Sequence, residues 1–273
     1  METIVILQIC LLALIFVLGG IKNKKYPFNN FLLILQFITR LPLKISLSCE
    51  KENFKSGTLY FPVVGIIIGF IQYLVFIILK PIIPIEIVAI FTVLTGVLVT
   101  GGLHIDGLGD TCDGFFAFKG EERIIEIMKD SRVGTFGVLA VIFDMILRIS
   151  AISVIGEKGL EVSIIAVPCI TRAFTILACY IGKPAKPKGT GNLYIANTNL
   201  TYLIGAISIG FLVGNLLLGI KPVAILMASA LIITIAFNKF SKVRIGGHTG
   251  DTIGANNELV EIILFVLCAS FLI

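Results

Sequence analysis

Charge is scarce in this chain: 14% of its 273 residues are Asp, Glu, Lys or Arg, 57% are hydrophobic, and the mean hydropathy is +1.03. A soluble domain of this size carries about a quarter charged residues, so that class is excluded. Alternation of polar and apolar residues is also missing. The apolar runs are continuous and rich in Leu, Ile and Val, which argues against a β-barrel and leaves helices, the other closed solution for a backbone in lipid. The six cysteines form no CxxC pair and mostly lie in apolar runs, so neither a disulfide frame nor a zinc site is implied. No basic segment precedes the first apolar run, as a signal peptide would require; Lys22, Lys24 and Lys25 follow it instead. No internal repeat is evident, which weighs against a transporter built from repeated halves.

What is present is a series of apolar stretches near spanning length, roughly 17–25 residues each. They run over 3–21, 58–79, 85–103, 134–155, 160–182, 200–219, 222–238 and 259–273. The expected fold class is all-α: a polytopic integral membrane helical bundle of about 7–8 transmembrane helices. Residues 1–25 read as an amino-terminal anchor helix and 26–273 as a single membrane-embedded domain. The segment 28–43 is short and interrupted by Asn29, Asn30, Gln36 and Arg40, so it is expected to lie in the interface. Seventeen Lys and Arg residues then fall in segments on one side and three, Lys80, Lys158 and Lys221, on the other. The positive-inside rule makes the crowded side cytoplasmic and the protein a multi-pass protein of the cell membrane. The net charge of +5 follows from that topology and favours anionic membrane lipid; it is no argument for nucleic acid.

Against this background the run DGLGDTCDG, 106–114, stands out. Asp106, Asp110 and Asp113 are spaced four and three apart, which puts them on one side of a helix. Like charges that close together share protons or share a cation. Oxygen-only ligands suit Mg²⁺, which takes one or two carboxylates and completes its shell with water and substrate phosphate. The alternative is a loop whose aspartates cap turns, helped by Gly107, Gly109 and Gly114.

Other polar islands carry residue types that phosphate chemistry needs. Arg40, next to Pro42, offers a bidentate fork for phosphate or simply snorkels from an interfacial helix. The run MKDSRVGTFG, 128–137, supplies Lys129 and Arg132 close to a helix start, a suitable anion cradle. Asp130 within it is a metal or substrate contact, or a helix cap. His104 is a candidate proton acceptor, although a lone histidine beside a turn is more often structural. The basic loop 182–198 is either positive-inside sequence or a lid over an anion. In SKVRIGGHTGDTIGANNEL, 241–259, glycines bring backbone close to a ligand while His248, Asp251 and Asn257 supply polar contacts; Asp251 is a further metal candidate from across the bundle. Within the spans, Asp144 and Arg148 are four apart and pair on one face. Arg172 has no local partner and must find a carboxylate or a substrate phosphate.

The ordered set LQFITRLPL, FPVVGIIIG, TGGLHIDGLGDTCDG, MKDSRVGTFG and GGHTGDTIGANNEL resembles the cobalamin 5′-phosphate synthase family, also called adenosylcobinamide-GDP ribazoletransferases. The resemblance runs from Phe31 onward. It implies a Mg²⁺-dependent transfer in which the ribose 3′-hydroxyl of α-ribazole or its 5′-phosphate attacks the phosphoryl group on adenosylcobinamide-GDP and displaces GMP. Asp106, Asp110 and Asp113 carry the family's DGxxDxxDG motif. Metal is then assigned to Asp106, Asp110 and Asp113 with Asp251, and catalytic work to Asp113, His104 or Asp130. Substrate contacts fall to Arg40, Lys129, Arg132, Arg172, His248 and Asn257. Whether the chain acts alone or as a homo-oligomer stays open. Rival readings are a CDP-alcohol phosphotransferase, in which Ala-Arg would stand at Asp110 and Thr111; a prenyltransferase, which needs a second acidic motif; and a cation transporter.

Overall fold

The computed structural model describes residues 27–117, 120–187 and 189–271. The anchor expected at 1–25 lies outside them. Among these residues eleven α-helices and two short 3₁₀ turns, Thr58–Tyr60 and Thr190–Leu193, make up the regular structure, with no strand beyond an isolated Pro184–His248 bridge. The helices are α1 (Pro27–Ile38), α2 (Lys51–Gly57), α3 (Phe61–Leu79), α4 (Ile85–Thr100), α5 (Leu103–Phe115), α6 (Glu121–Ile127), α7 (Thr135–Glu157), α8 (Ser163–Ile181), α9 (Leu200–Leu218), α10 (Ile220–Ile245) and α11 (Gly250–Phe271). Among the described residues six stretches are long and apolar enough to cross a membrane: Lys51–Leu79, Thr135–Glu157, Ser163–Ile181, Leu200–Leu218, Ile220–Ile245 and Gly250–Ser270; α4 with α5 makes a seventh if that bent pair counts as one. The all-α membrane bundle is therefore as expected.

Small residues set the closest helix packing. Gly65 and Gly69 of α3 face the backbone of α8, where a Cβ would come within 2.4 Å of the Pro168 carbonyl oxygen and 2.5 Å of that of Ile164. This is the small-xxx-small spacing by which helices approach in lipid. Helix α8 is the axis of the bundle, buried along most of its length against α3, α9, α10 and α11.

Two boundaries differ from the sequence reading, and both move the polar islands. The span expected at 85–103 stops at Thr100, where Gly101 and Gly102 adopt left-handed φ of 65° and 69°. Glycine takes that conformation without a Cβ penalty, and α5 leaves at 90° to α4, so it is not part of the six unbroken spans. The last span begins at Gly250, not 259, because the polar run DTIGANNE is itself helical and mostly buried. Polar composition disguised its first two turns.

The starts of α3, α7, α9 and α11 and the ends of α4, α8 and α10 share one end of the bundle. They are stitched there by Arg40 N–H to Val99 O at 2.7 Å and His248 N–H to Lys183 O at 2.7 Å. At the opposite end Lys80 pairs with Glu161, and Lys158 donates to Ala269 O at 2.7 Å.

Candidate active site

Helix α5 holds its acids on one side, and glycine explains how close they come to α11. A Cβ on Gly107 would lie 2.7 Å from the Asp251 carbonyl oxygen, and one on Gly254 would lie 3.2 Å from the Cα of His104. Contact this close sets the first turn of α11 beside Asp106 and Asp110. Asp106 is exposed and Asp110 half-buried. Burial, followed by the charges of Asp106, Asp251 and Asp113, pushes the Asp110 carboxyl up to about 7. Asp251 in turn feels Asp106 and the Lys186 ammonium.

Cations flank this acidic shelf. Lys186, from the 182–198 loop, is held below its ordinary range by partial burial and by Lys129 beside it, while Asp251 opposes the shift. Arg40 is exposed and packs over the bend, where a Cβ on Gly101 would lie 2.5 Å from its Cγ and Nε. Lys186 was absent from the sequence-derived site. Its only signal was membership of a basic loop, which positive-inside charge explains equally well.

The remaining candidates are placed differently from one another. Asp113 turns from the shelf toward α7: one carboxylate oxygen accepts the Gly134 N–H at 2.6 Å and the other accepts the Gly137 N–H at 2.8 Å. It caps the α7 amino terminus from outside, and a Cβ on either glycine would fall 2.4 Å from it. In this geometry it serves as a cap. Asp130 is engaged by Arg132, whose Nη2 lies 2.6 Å from it, and those hydrogen bonds hold its carboxyl down at about 2. That leaves a poor proton acceptor on an exposed turn, with the Arg132 side chain still open to solvent. His248 is buried between Asn238, 2.8 Å from Nε2, and Thr252, 3.0 Å from Nδ1. Burial pushes its imidazole down to about 4, and it pins the α10–α11 turn.

Arg172 finds a carboxylate, the first of its two options. Its Nη1 donates to Glu261 at 2.9 Å, and Arg148 donates to Glu261 at 2.6 Å, to Asp144 at 3.0 Å and to Glu258. Asn257 extends the network, donating to Glu258 at 3.1 Å and accepting from Thr175 at 3.1 Å. All of these groups are buried. Arg172 and Asn257 therefore have structural partners. Glu261 went unnoticed in the sequence, although two acids three apart in an apolar span were the signal.

Beside the shelf lies a pocket of about 230 Å³ lined by Phe37, Phe61, Tyr194, His104, Thr175 and Asp251 among others. Asp251 thus belongs both to the pocket lining and to the shelf. His104 is 8% exposed, and its Nδ1 has no hydrogen-bond partner, the nearest carboxylate oxygen being that of Glu258 at 3.8 Å. Burial, aided by Arg172, lowers its pKa to about 3, so its imidazole is neutral at physiological pH.

Among the described residues no three His, Cys, Asp or Glu side chains converge into a ready-made metal cage. The donor set still fits Mg²⁺. That ion needs only one or two carboxylates when phosphate and water complete its shell, and Asp106 and Asp110 are hard oxygen donors with no ion-pair partner among the described residues.

The model of the cobalamin-5-phosphate synthase family matches residues 30–269. An adenosylcobinamide-GDP ribazoletransferase from Clostridium tetani (strain Massachusetts / E88) is 48% identical over 249 residues, 91% of this chain and 98% of the relative. Proteins of the same name from Clostridium botulinum (strain Langeland / NCTC 10281 / Type F) and Clostridium kluyveri (strain ATCC 8527 / DSM 555 / NBRC 12016 / NCIMB 10680 / K1) are 40% and 42% identical, each over 88% of this chain and 96% and 95% of their own lengths. No solved structure matches it. A match across almost the whole described bundle means that the chain belongs to the cobalamin-5-phosphate synthase family.

Proposed function

We propose that the chain transfers the adenosylcobinamide-phosphoryl group of adenosylcobinamide-GDP to the ribose 3′-hydroxyl of α-ribazole or α-ribazole 5′-phosphate, releasing GMP. The bond formed joins the 3′-oxygen to phosphorus; the bond broken is the phosphoanhydride to GMP. The observation that carries this reading is the uncompensated pair Asp106 and Asp110, set against Asp251 and flanked by Lys129, Lys186 and Arg40. Phosphoryl transfer is mainly positioning and charge neutralisation, and these residues supply both.

In this reading Asp106 and Asp110 hold Mg²⁺, which supplies charge neutralisation on the diphosphate when bound. Lys129 and Lys186 take the oxygens of the departing GMP phosphate, and Arg40 the outer face of the diphosphate. Asp251, between shelf and pocket, orients the 3′-hydroxyl and receives its proton. Asp113 holds α5 against α7 so that the acids keep their spacing.

The end bearing the shelf faces the cytoplasm in this account, on the strength of the lysine and arginine bias. Exposed Cys49, on the same end, is then labelled by an impermeant maleimide in inverted vesicles and not in intact cells. The reaction is tested with purified protein in lipid, given adenosylcobinamide-GDP, α-ribazole 5′-phosphate and Mg²⁺. GMP and a corrinoid nucleotide are expected in equal amounts. Absence of GMP, with a CDP-alcohol accepted instead, contradicts the reading.

A further inference from the structure

The pocket beside the shelf has chemistry unlike that of its surroundings. Asp251 is the only charged residue in its lining, whereas basic side chains stand outside on the shelf. An anionic diphosphate is thus favoured outside and disfavoured within. Inside, Tyr194 meets Phe37 edge-on with ring centroids 5.5 Å apart and Phe61 at 6.0 Å. Three rings from three parts of the chain make a wall suited to the face or edge of another aromatic ring. At about 230 Å³ the space is below the usual 300–1,000 Å³ of a whole-ligand pocket, so it takes a fragment.

The polar groups narrow that fragment further. The Thr175 hydroxyl is already bonded to Thr171 O at 3.1 Å and to Asn257. His104 is the histidine of the lining; its buried Nδ1 is nearest Glu258, 3.8 Å away, which leaves the other ring nitrogen for a ligand. Guanine would bring several donors and acceptors on its edges, and most would go unpaired here. A benzimidazole, the base of ribazole, has one bare ring nitrogen once glycosylated, and the His104 imidazole in the lining can donate to it.

We propose that this pocket is the acceptor's base subsite: the rings of Phe37, Phe61 and Tyr194 and the imidazole of His104 hold the benzimidazole of the ribazole nucleoside, which sets its ribose beside Asp251, while guanine stays outside. The inference rests on the transferase reading and adds where the acceptor sits and how the site tells the two nucleosides apart. His104 thereby becomes a binding residue for the base.

The chain contains no tryptophan, so the ultraviolet fluorescence of benzimidazole can be followed on the full-length protein in lipid without that background. Saturable binding of benzimidazole is expected without donor, displaced by α-ribazole and not by GMP. Phe37→Ala should weaken it by roughly tenfold, the loss typical of one aromatic contact to a base. The same variant should raise the acceptor KM by that factor and leave the donor KM unchanged, and Phe37→Leu should fall between. Displacement by GMP as readily as by α-ribazole, or an unchanged acceptor KM in turnover-competent Phe37→Ala, overturns the subsite. Benzimidazole binding with the expected profile in a preparation that releases no GMP overturns the transferase reading and supports the subsite.

Discussion

Two groups of charges in this protein are built from the same residue types and do opposite work. Inside the bundle, Asp144, Glu258 and Glu261 are met by Arg148 and Arg172 within hydrogen-bond distance, all buried. On the shelf, Asp106, Asp110 and Asp251 face one another, with cations only at the edge. The first set is paired internally and joins α7, α8 and α11. The second is left short of positive charge, as a site does that waits for a cation and a phosphate. The difference teaches that carboxylates in a membrane enzyme divide by their partners, not by their depth alone.

The contrast can be broken from either side. The largest expected effect is on turnover: Asp106→Ala or Asp110→Ala should lower GMP release by at least ~100-fold, as for removal of a main charge-stabilising group, while the unfolding midpoint holds. Loss of folded protein in both variants would make the shelf structural. Next comes stability: Arg148→Leu leaves buried carboxylates without their partner and should cost about 3–5 kcal/mol in reversible unfolding from detergent or lipid. A neutral result there would mean that the network is not what joins the helices.

Smaller effects refine the boundary between the two groups. Asp113→Ala removes a cap from α7 and should cost about 1–2 kcal/mol, with Asp113→Asn recovering part of it. If Asp113→Ala instead matched Asp110→Ala in turnover without loss of stability, Asp113 would belong to the shelf's chemistry. The mildest test is pH. With the Asp110 carboxyl pushed up to about 7, it is protonated below that pH and ionised above it. The Mg²⁺ concentration for half-activation should therefore rise as pH falls from 8 to 6, by about tenfold per unit below 7 for one proton displaced. A flat dependence would place the cation elsewhere.

Much of this was legible in the sequence, and the gaps have physical causes. The spans were readable because a lipid-facing helix must be continuously apolar, and the in-register aspartates because helical spacing needs no tertiary information. The start of α11 was not, since DTIGANNE is too polar to look like a span until its partners from α5, α7 and α8 are known. Asp113 shared the spacing of Asp106 and Asp110 and so looked equivalent; only the position of the α7 amino terminus separates it. Arg172 and Glu261 lie 89 residues apart, beyond any local pattern. Pairing at such separation is decided by helix packing.

The central claim is that Asp106 and Asp110 hold a divalent cation while the buried network does not. Binding of Mn²⁺ to purified protein in lipid, followed by its electron paramagnetic resonance signal, tests it without reference to turnover. The account predicts saturable binding displaced by Mg²⁺, lost in folded Asp106→Ala and Asp110→Ala and kept in folded Glu261→Gln. Binding that survives both aspartate variants, or disappears with Glu261→Gln alone, would contradict it.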